Sequence, residues 1–477
     1  MEQARRLGKQ IRAARLERGL TQAVLAERLG ISASYLNLLE SGRRRLTAEL
    51  LLRLARTCDL DLKALHEGEH AHLVADLAEV FADPIFEQRP LGDAQIAELA
   101  AEQPEAARVL IRLHTAYSSA RGSAEALAER ALDSQEVAGV DRVRLSTEQV
   151  SDFIQRHLNH FPQLEAEAER VWADARLEGE DLFPGLARYL QRRHGVAVRI
   201  EKVDAMRGAV RRFHAERGEL HLSEVLRRGS RNFQLASQIG LLDCAETLTR
   251  LSAEPELSTP ESRALCRVAL ASYFAAAVLM PYARFLRSTE EVRYDIELLG
   301  HRFRVGWEQV CHRLTTLRRP GAEGVAFHMV RVDIAGNISK KFSATAVRFP
   351  RFSGLCPLWN VHAAFLQPGR IRIQLSRLPD GEALFSVART VQRHSGSFHD
   401  PTVLFAVGIG CDVAEAGRLV YADGIELGNV GAAVPIGTTC RLCPRADCQA
   451  RAFPSLQIPL TIDENVRGAS FFAPAGQ

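Results

Sequence analysis

The sequence has almost no net charge and lacks an apolar run long enough to cross a membrane. Its 477 residues include 61 Lys and Arg against 58 Asp and Glu, which gives a formal net charge of +3. The longest apolar stretch, VALASYFAAAVLMPY (268–282), is shorter than the ~20 residues that a membrane span requires, and it predicts a buried helix instead. The opening residues MEQARRLGKQ have alternating charges and no apolar segment typical of a secretory signal. We therefore expect a cytoplasmic protein with no membrane partner.

The charge is unevenly distributed along the chain. Residues 1–65 contain 13 Lys and Arg against 7 Asp and Glu, a balance of +6, and the remainder is slightly acidic. A basic N-terminal module on a nearly neutral body is typical of an appended nucleic-acid-binding domain. A chain of this length is also too long for one core, so two to four domains are expected.

The N-terminal part of the chain carries the pattern of four short helices. Apolar spacing predicts a first helix over residues 3–18, and Thr21 is a suitable N-cap for a second helix that ends at Gly30. Ser32 would cap a third helix and Thr47 a fourth. The three-residue GIS turn between the second and third helices indicates a helix-turn-helix.

This segment closely resembles the lambda-repressor-like (XRE-type) helix-turn-helix family, in Gln22, Ala26, Gly30 and the run SYLNLLESGRR. In that family the third helix lies in the major groove of double-stranded DNA. The resemblance implies base-edge contacts from four side chains of the third helix, supported by Gln22: Ser32, Ser34, Tyr35 and Asn37. It also implies phosphate contacts from the arginines that follow the helix: Arg43, Arg44 and Arg45.

Connecting helices are predicted between about residues 66 and 145. This region is rich in Ala, Glu, Leu and Arg at helical spacing, and FADPIFEQRPLGD (81–93) predicts a break in it. Long amphipathic helices between a helix-turn-helix and a sensor often pair between copies. We therefore expect a homodimer or a higher homo-oligomer, and a helical spacer without a partner is the alternative.

A second unit follows, with a strand at AVRIEKV and helices at RNFQLASQIGLLDC and ASYFAAAVLMPYARFL. The helical segments resemble the ImmA/IrrE-type domain, a zinc-metallopeptidase fold whose H-E-x-x-H motif supplies two zinc ligands and a general base. The matching positions here are Gln234, Leu235 and Gln238, and Leu270 stands where the downstream acidic ligand would be. Glutamine is a poor zinc ligand and leucine cannot activate water, so we expect the fold without the peptidase activity.

After Pro320 the pattern changes to strand-like alternation. Turns are predicted at Gly336-Asn337 and at Asp380-Gly381, each between two strands. TVLFAVGIGCDV predicts a strand that runs into a helix, and RLVYADGIELG predicts a short hairpin. We expect an α+β sensor domain with an antiparallel sheet.

Three of the nine cysteines lie in one short segment, TTCRLCPRADCQARAFP (438–454). In a reducing cytosol, thiolates as close as Cys440, Cys443 and Cys448 indicate metal or redox chemistry rather than a structural disulfide. Zinc would need a fourth ligand, for which Cys411 or Cys356 is available. An iron–sulfur cluster accepts irregular spacing and the hydrogen-bond donors that neighbouring arginines supply. The spacing alone leaves both metals open.

Motifs along essentially the whole chain resemble the short-chain fatty-acyl-CoA-responsive transcriptional regulators, which control the methylcitrate cycle and the glyoxylate shunt. The motifs are the helix-turn-helix, the central domain, SGLCPLWNVHAAFLQPG and the cysteine segment. The resemblance implies a regulator rather than an enzyme, and an acyl-CoA effector such as propionyl-CoA. It also implies a [4Fe–4S] cluster held by Cys440, Cys443 and Cys448. If only these three bind, the fourth iron is open to another ligand, and Cys411 is the candidate should a fourth protein ligand exist.

We expect the C-terminal domain (321–477) to bind both the acyl-CoA and the cluster, and side chains of the central domain are further candidates for contacts to CoA, with a purely structural role as the alternative. The phosphates of CoA require cations or helix N-termini, and a short acyl chain requires a small apolar pocket. Three residues of the central domain are candidates for the site: Arg170, Arg199 and Tyr273. Trp359 and His362 are interpreted as packing residues of the WNVH turn.

The sequence thus predicts a multidomain protein with a lambda-repressor-like helix-turn-helix domain (1–66), a helical connector (67–145), an α-rich metallopeptidase-like domain (146–320) and an α+β regulatory domain (321–477). Two other functions stay open from the residues. One is a DNA-binding regulator stapled by zinc, without iron–sulfur sensing. The other is a metallopeptidase-type enzyme, against which the altered zinc motif argues directly.

Overall fold

The computed structural model describes residues 15, 20–40, 50, 62–83, 85–86, 90–131, 140–177, 182–345, 347–350, 354–393, 399 and 401–455. The chain divides into two compact units. One comprises Met1–Leu77 and Asp93–Arg108, and the other comprises Ala78–Gly92 and Val109–Gln477. The helices predicted over 3–18 and from Thr47 lie outside the described residues.

The first unit is helical. Its elements are α1 (Gln22–Leu29), α2 (Ala33–Glu40), most of α3 (Leu62–Val80), α4 (Asp93–Glu102) and the beginning of α5 (Pro104–Ala131). Turns separate α3 from α4, where the sequence predicts a break. Helices α1 and α2 enclose a small core of their own, formed by Leu25, Ala26, Leu29, Leu36, Leu39 and Leu50.

Both predicted caps of α1 are confirmed. The side chain of Thr21 accepts a hydrogen bond from the backbone N–H of Val24, which satisfies one of the free donors at the start of the helix. Gly30 ends the helix with a φ of 66°, a left-handed conformation that glycine adopts without steric cost. The tight turn that follows brings α2 against α1, as a helix-turn-helix requires.

The second unit begins with helices and a small sheet. Its helices are α6 (Val140–Arg156), α7 (Pro162–Ala175), α8 (Leu182–His194), α9 (Val203–Met206), α10 (Arg228–Asp243), α11 (Ala245–Ser252), α12 (Pro260–Leu279), α13 (Tyr282–Glu291), α14 (Ile296–Phe303) and α15 (Trp307–Leu314). The sheet contains β1 (Ala197–Glu201), β2 (Arg211–His214) and β3 (Glu219–Ser223). Strand β3 lies between the other two, parallel to β1 and antiparallel to β2.

Helix α12 forms the centre of this part. Thr259 caps it through a hydrogen-bonded box with Ser262, and the helix packs against α6, α7 and α10. It is long and apolar enough to cross a membrane, but most of its second half, from Leu270 to Leu279, is buried in the protein core. The predicted buried helix is therefore confirmed.

The C-terminal part is built on a six-stranded sheet in the order β11-β8-β9-β10-β6-β7. Its strands are β6 (His328–Asp333), β7 (Ile338–Ser343), β8 (Arg372–Arg377), β9 (Ala383–Arg393), β10 (Val403–Asp412) and β11 (Val434–Pro435). A two-stranded ribbon of β4 (Arg318–Arg319) and β5 (Ala322–Glu323) precedes it, and the short helices α16 (Asn360–Ala363) and α17 (Val413–Ala416) flank it.

Two details of this sheet differ from the predictions. The hairpins turn where expected, at Gly336 and Gly381, but the sheet is mixed because β11 pairs with β8 in parallel. The predicted hairpin at RLVYADGIELG is wrong, since Val420–Ala422 forms a 3-10 turn and no strand pairing occurs in this segment. Its apolar side chains contact the core around β10 instead of forming a sheet edge.

Candidate functional site

Helix α2 presents one candidate DNA-contacting side chain to solvent in the described residues. Asn37 is exposed, whereas Leu36 and Leu39 point into the helix-turn-helix core. Tyr35 is half-buried against that core. The hydroxyl of exposed Ser32 accepts a hydrogen bond from the backbone N–H of Tyr35 at 3.1 Å, so this residue also caps α2.

The other predicted DNA contacts are less fully described. Gln22 is half-buried at the first turn of α1. The side chain of Ser34 lies outside the described part of the chain, as do Arg43, Arg44 and Arg45.

The positions of the altered zinc motif lie on α10 and α12. Leu235 and Leu270 are buried in the same apolar core, and Gln238 is buried beside them. Gln234 is half-buried, and its backbone carbonyl accepts a hydrogen bond from Arg211 at 3.4 Å. Apolar packing thus takes the place of a metal and its general base.

Tyr273 belongs to a buried ion-pair network, which fits the structural role that the sequence leaves open for it. Its hydroxyl donates to Glu165 at 2.6 Å, and the guanidinium of Arg313 binds both oxygens of the same carboxylate, at 2.6 and 2.9 Å. Burial by itself would raise the pKa of the Glu165 carboxyl, but the Arg313 guanidinium holds it below its usual value. Tyr273 is only 2% exposed, so a ligand cannot reach it without displacing this network.

The two predicted ligand-binding arginines are on the surface. Arg170 on α7 pairs with Glu167, and Arg199 on β1 pairs with Glu219 at 2.7 Å. Neither shares a partner with Tyr273, and the structure does not bring the three residues together around one pocket.

Four cysteines line one small, partly open cavity. The lining residues are Cys356, Pro435, Gly437, Thr439, Cys440, Cys443, Arg445, Cys448 and Arg451. Three of the four cysteines are those of the predicted cluster. The fourth, Cys356, comes from the segment before α16.

Hydrogen bonds hold the two cysteine segments against each other. The backbone N–H of Cys356 donates to the carbonyl of Thr438 at 3.1 Å, and the indole N–H of Trp359 donates to the carbonyl of Gly437 at 2.9 Å. A Cβ at position 437 would lie 3.0 Å from the sulfur of Cys443. A larger residue at this position would require the Cys443 side chain to shift. Buried Trp359 has the packing role that the sequence predicts.

Backbone N–H groups point at two of the thiols. The N–H of Ala452 donates to the sulfur of Cys440 at 3.4 Å. Burial raises the pKa of the Cys356 thiol, and hydrogen bonds from the N–H groups of Gly437 and Leu358 partly offset this effect. Donors of this kind stabilise a thiolate that binds a metal or a cluster.

Cys411 does not lie at this cavity, contrary to its prediction as the fourth ligand. It is fully buried on β10 in an apolar cluster with Val310, Leu314 and Phe385. Burial raises the pKa of its thiol to about 12, which disfavours a metal-binding thiolate. Cys356, the other residue that the sequence offers, is the one that faces the site.

The side chains around the cavity are not arranged for a single ion. Among the described residues, no three His, Cys, Asp or Glu side chains lie close enough to hold one metal ion. The positive groups at the cavity are the guanidinium groups of Arg445 and Arg451.

Comparison with known families identifies three matching regions in this chain. Residues 11–65 match a helix-turn-helix family, and residues 191–315 match the IrrE N-terminal-like domain. Residues 316–472 match the family described as short-chain fatty acyl coenzyme A regulator, C-terminal.

Several characterised proteins are similar along almost the entire chain. The HTH-type transcriptional regulator PrpR of Mycobacterium tuberculosis is 40% identical, over 96% of this chain and 93% of its own. The propionyl-CoA carboxylase regulator of Cereibacter sphaeroides is 39% identical over 97% of both chains. The HTH-type transcriptional regulator RamB of Mycobacterium tuberculosis is 36% identical over 96% of both.

A solved structure is also similar. A Mycobacterium tuberculosis transcriptional regulator superposes with a TM-score of 0.66 at 41% identity, covering 69% of this chain and 99% of that one. The relatives that match along almost the entire chain are named regulators, and the chain has the helix-turn-helix and regulator domains, so this protein is a transcriptional regulator rather than an enzyme. The chain belongs to the short-chain fatty acyl coenzyme A regulator family of helix-turn-helix transcriptional regulators.

Proposed function

We propose that this protein is a cytoplasmic, homodimeric DNA-binding regulator of short-chain fatty acid metabolism that responds to an acyl-CoA such as propionyl-CoA. We also propose that it carries a [4Fe–4S] cluster bound by Cys440, Cys443 and Cys448, with Cys356 in place of Cys411 as the fourth ligand. The observation that carries the cluster proposal is the cavity that these four cysteines line.

The DNA-binding role is supported by the exposed end of α2. Asn37 is free of the helix-turn-helix core, and an asparagine side chain can bind both hydrogen-bonding groups of an adenine edge in the major groove. The predicted arginines at 43–45 would add contacts to phosphates, which strengthen binding to every sequence equally. Two copies would read two half-sites of one operator.

The donor set fits a cluster better than zinc. Zinc with bonds of about 2.3 Å gathers its thiolates tightly around one point, whereas the cysteines of a cubane bind different irons and lie further apart. The four thiols line one cavity, but no three of them are gathered tightly enough for a single ion. The N–H donor from Ala452 and the close approach of Gly437 also suit cluster-binding thiolates.

When bound, a [4Fe–4S] cluster would supply one-electron chemistry and sensitivity to oxidation. The protein itself would hold the thiolates, surround them with N–H donors and exclude water from one side of the site. Cys440 and Cys443 are buried, while Cys448 is half-exposed. Oxidants would therefore reach the site from the side of Cys448.

The acyl-CoA response is supported by the family that the C-terminal part matches, and the Cereibacter sphaeroides relative is named as a regulator of an enzyme that acts on propionyl-CoA. An effector changes DNA binding only if it prefers one DNA-binding state of the protein over another. In a dimer, such a preference would reset the spacing of the two helix-turn-helix domains.

DNA binding is tested with genomic fragments selected by the wild-type protein. We expect Asn37→Ala to weaken binding to the selected operator by about 1–3 kcal/mol, while binding to unrelated DNA stays the same. Fluorescence anisotropy measures the affinity for the operator and for unrelated DNA, and the same titrations with propionyl-CoA added show whether the effector changes either affinity. Glu98→Ala, an exposed position on α4, is the control. Equal losses of affinity for the operator and for unrelated DNA would refute a base contact by Asn37. Operator binding that propionyl-CoA leaves unchanged would refute propionyl-CoA as the effector.

The metal is tested by anaerobic purification with iron, acid-labile sulfide and zinc assays, beside a Cys443→Ser variant. We expect about four irons and four sulfides per chain in the wild type, with absorption near ~400 nm that the variant lacks. Stoichiometric zinc without sulfide would refute the cluster and would identify the cysteine loop as a structural zinc site.

A further inference from the structure

The cysteine loop is held by a buried arginine that follows it. Arg451 is 5% exposed and lines the cavity together with the four cysteines. One guanidinium nitrogen donates to the carbonyl of Cys440 at 2.9 Å, and the other donates to the carbonyl of Cys443 at 3.2 Å and to that of Arg445. A single side chain thus joins three carbonyls of one short loop.

We propose that Arg451 is the positioning residue of the cysteine site, a role that rests on the proposed metal binding there. By turning these carbonyls toward itself, the guanidinium fixes the orientation of the peptide groups around Cys440 and Cys443. Peptide groups held this way keep their carbonyl dipoles away from the thiolates. The same guanidinium places a fixed positive charge beside the site, which favours thiolates and a more reduced cluster.

The planar shape of the guanidinium is essential to this role. Arginine presents its donors in a rigid fork, so it can bind three carbonyls in fixed directions, whereas lysine has one nitrogen on a flexible stem. Arg445 has a different task, since it donates outward to the carbonyl of Arg377 on β8. Arg441 is in the same loop but stacks on Phe453 at 5.4 Å and does not line the cavity.

The test compares Arg451→Met, Arg451→Lys and the control Arg441→Met, all as full chains purified without oxygen. Loss of the fork should make iron leave to a chelator about tenfold to a hundredfold faster in both Arg451 variants, as for other supports of metal ligands. The control should match the wild type. Circular dichroism and operator binding show that each variant is folded, and Arg451→Lys carries the test if Arg451→Met does not fold.

The reduction midpoint potential separates charge from mere support of the loop. Loss of the positive charge in Arg451→Met should lower the potential, while Arg451→Lys should stay close to the wild type. The role of the fork would be overturned if Arg451→Met released iron as slowly as the wild type, or if Arg451→Lys retained iron as well as the wild type. A wild-type potential in Arg451→Met would overturn the role of the charge.

This experiment also distinguishes failure of the cluster from failure of the positioning role. If the wild-type protein contains zinc without sulfide, the proposed cluster is wrong, and the release of zinc to the chelator then tests the fork in the same variants. Faster zinc release from both Arg451 variants would uphold the positioning role, and equal release would overturn it.

Discussion

At the scale of single residues, two buried cysteines have opposite roles. Cys356 lines the cavity with the cysteine loop, and Cys411 lies in the apolar core of β10. We expect Cys356→Ser to lower the iron content and speed its release, because a proposed ligand is lost. Cys411→Ser should keep the iron and lower the free energy of unfolding by about 1–3 kcal/mol, since it buries a hydroxyl among apolar side chains.

Iron assays and urea unfolding of both variants check this prediction. Cys244→Ser is a control for a buried cysteine elsewhere, in the core around α10. Normal iron content and retention in Cys356→Ser, together with iron loss in Cys411→Ser, would restore the original assignment of Cys411.

The sequence could predict the cysteine loop but not its fourth member. Cys440, Cys443 and Cys448 are close in the chain, so their spacing alone indicates a site. Cys356 meets them because β11 pairs with β8, Trp359 binds the carbonyl of Gly437 and the Cys356 N–H binds that of Thr438. Contacts between such distant segments depend on strand order, which no local pattern encodes. The network around Tyr273 could not be predicted for the same reason, since its partners Glu165 and Arg313 lie far from it in the chain.

At the scale of elements, one carboxylate joins α15 to the β6–β7 hairpin. Glu308 on α15 lies 2.7 Å from both Arg331 on β6 and Lys340 on β7. Burial alone would raise the pKa of Glu308, but Lys340 and Arg331 lower it to about 2. Because the pKa is lower in the folded protein, the ionised carboxylate of Glu308 stabilises the fold at pH values above about 4.5, its pKa in the unfolded chain. This contribution is lost as the pH falls from about 4.5 toward 2.

We therefore expect Glu308→Gln to reduce the free energy of unfolding at pH 7 by on the order of 3 kcal/mol. The difference from the wild type should shrink as the pH falls below about 4.5. Urea unfolding between pH 7 and pH 3.5 measures it. Glu297→Gln breaks an exposed pair with Arg389 and should cost less than about 1 kcal/mol at any of these pH values. A pH-independent loss in Glu308→Gln would contradict the ion-pair explanation.

Helices and turns with strong local sequence signals form where the sequence predicts them. Thr21 and Gly30 bound α1, and the glycines at 336 and 381 turn the two hairpins, because each requires a particular cap or a positive φ. RLVYADGIELG has a turn signal of the same kind but forms no hairpin. Its apolar side chains, including Tyr421, pack onto the core around β10, which outweighs the local preference for strands.

At the scale of the whole molecule, the region matched to the IrrE-like domain and the region matched to the regulator family share one core. Ala276, Leu279 and Met280, at the end of α12, share one apolar cluster with Phe327, just before β6, and with Val407 on β10. Arg313, at the end of α15, binds Glu165 on α7 and the carbonyl of Met280. The end of α12, a helix that carries one position of the altered zinc motif, thus supports the sheet that leads to the cysteine site.

The same scale gives a thermodynamic test of the regulator. If propionyl-CoA changes the affinity for operator DNA by some factor, operator DNA must change the affinity for propionyl-CoA by the same factor, because both reflect one coupling free energy. We expect a factor of about 5–150, the usual range for such coupling. Anisotropy measures the first affinity and calorimetry the second, at one protein concentration so that a change of oligomeric state does not enter.

Free CoA and a scrambled operator are the controls, and neither should show the coupling. Unequal factors would mean that a further equilibrium, such as assembly of the dimer, carries part of the signal. The Cys443→Ser variant then tests whether the cluster contributes to this coupling. A wild-type coupling factor in this variant would make the cysteine site a structural support, and a changed factor would make it a second input to the same DNA-binding equilibrium.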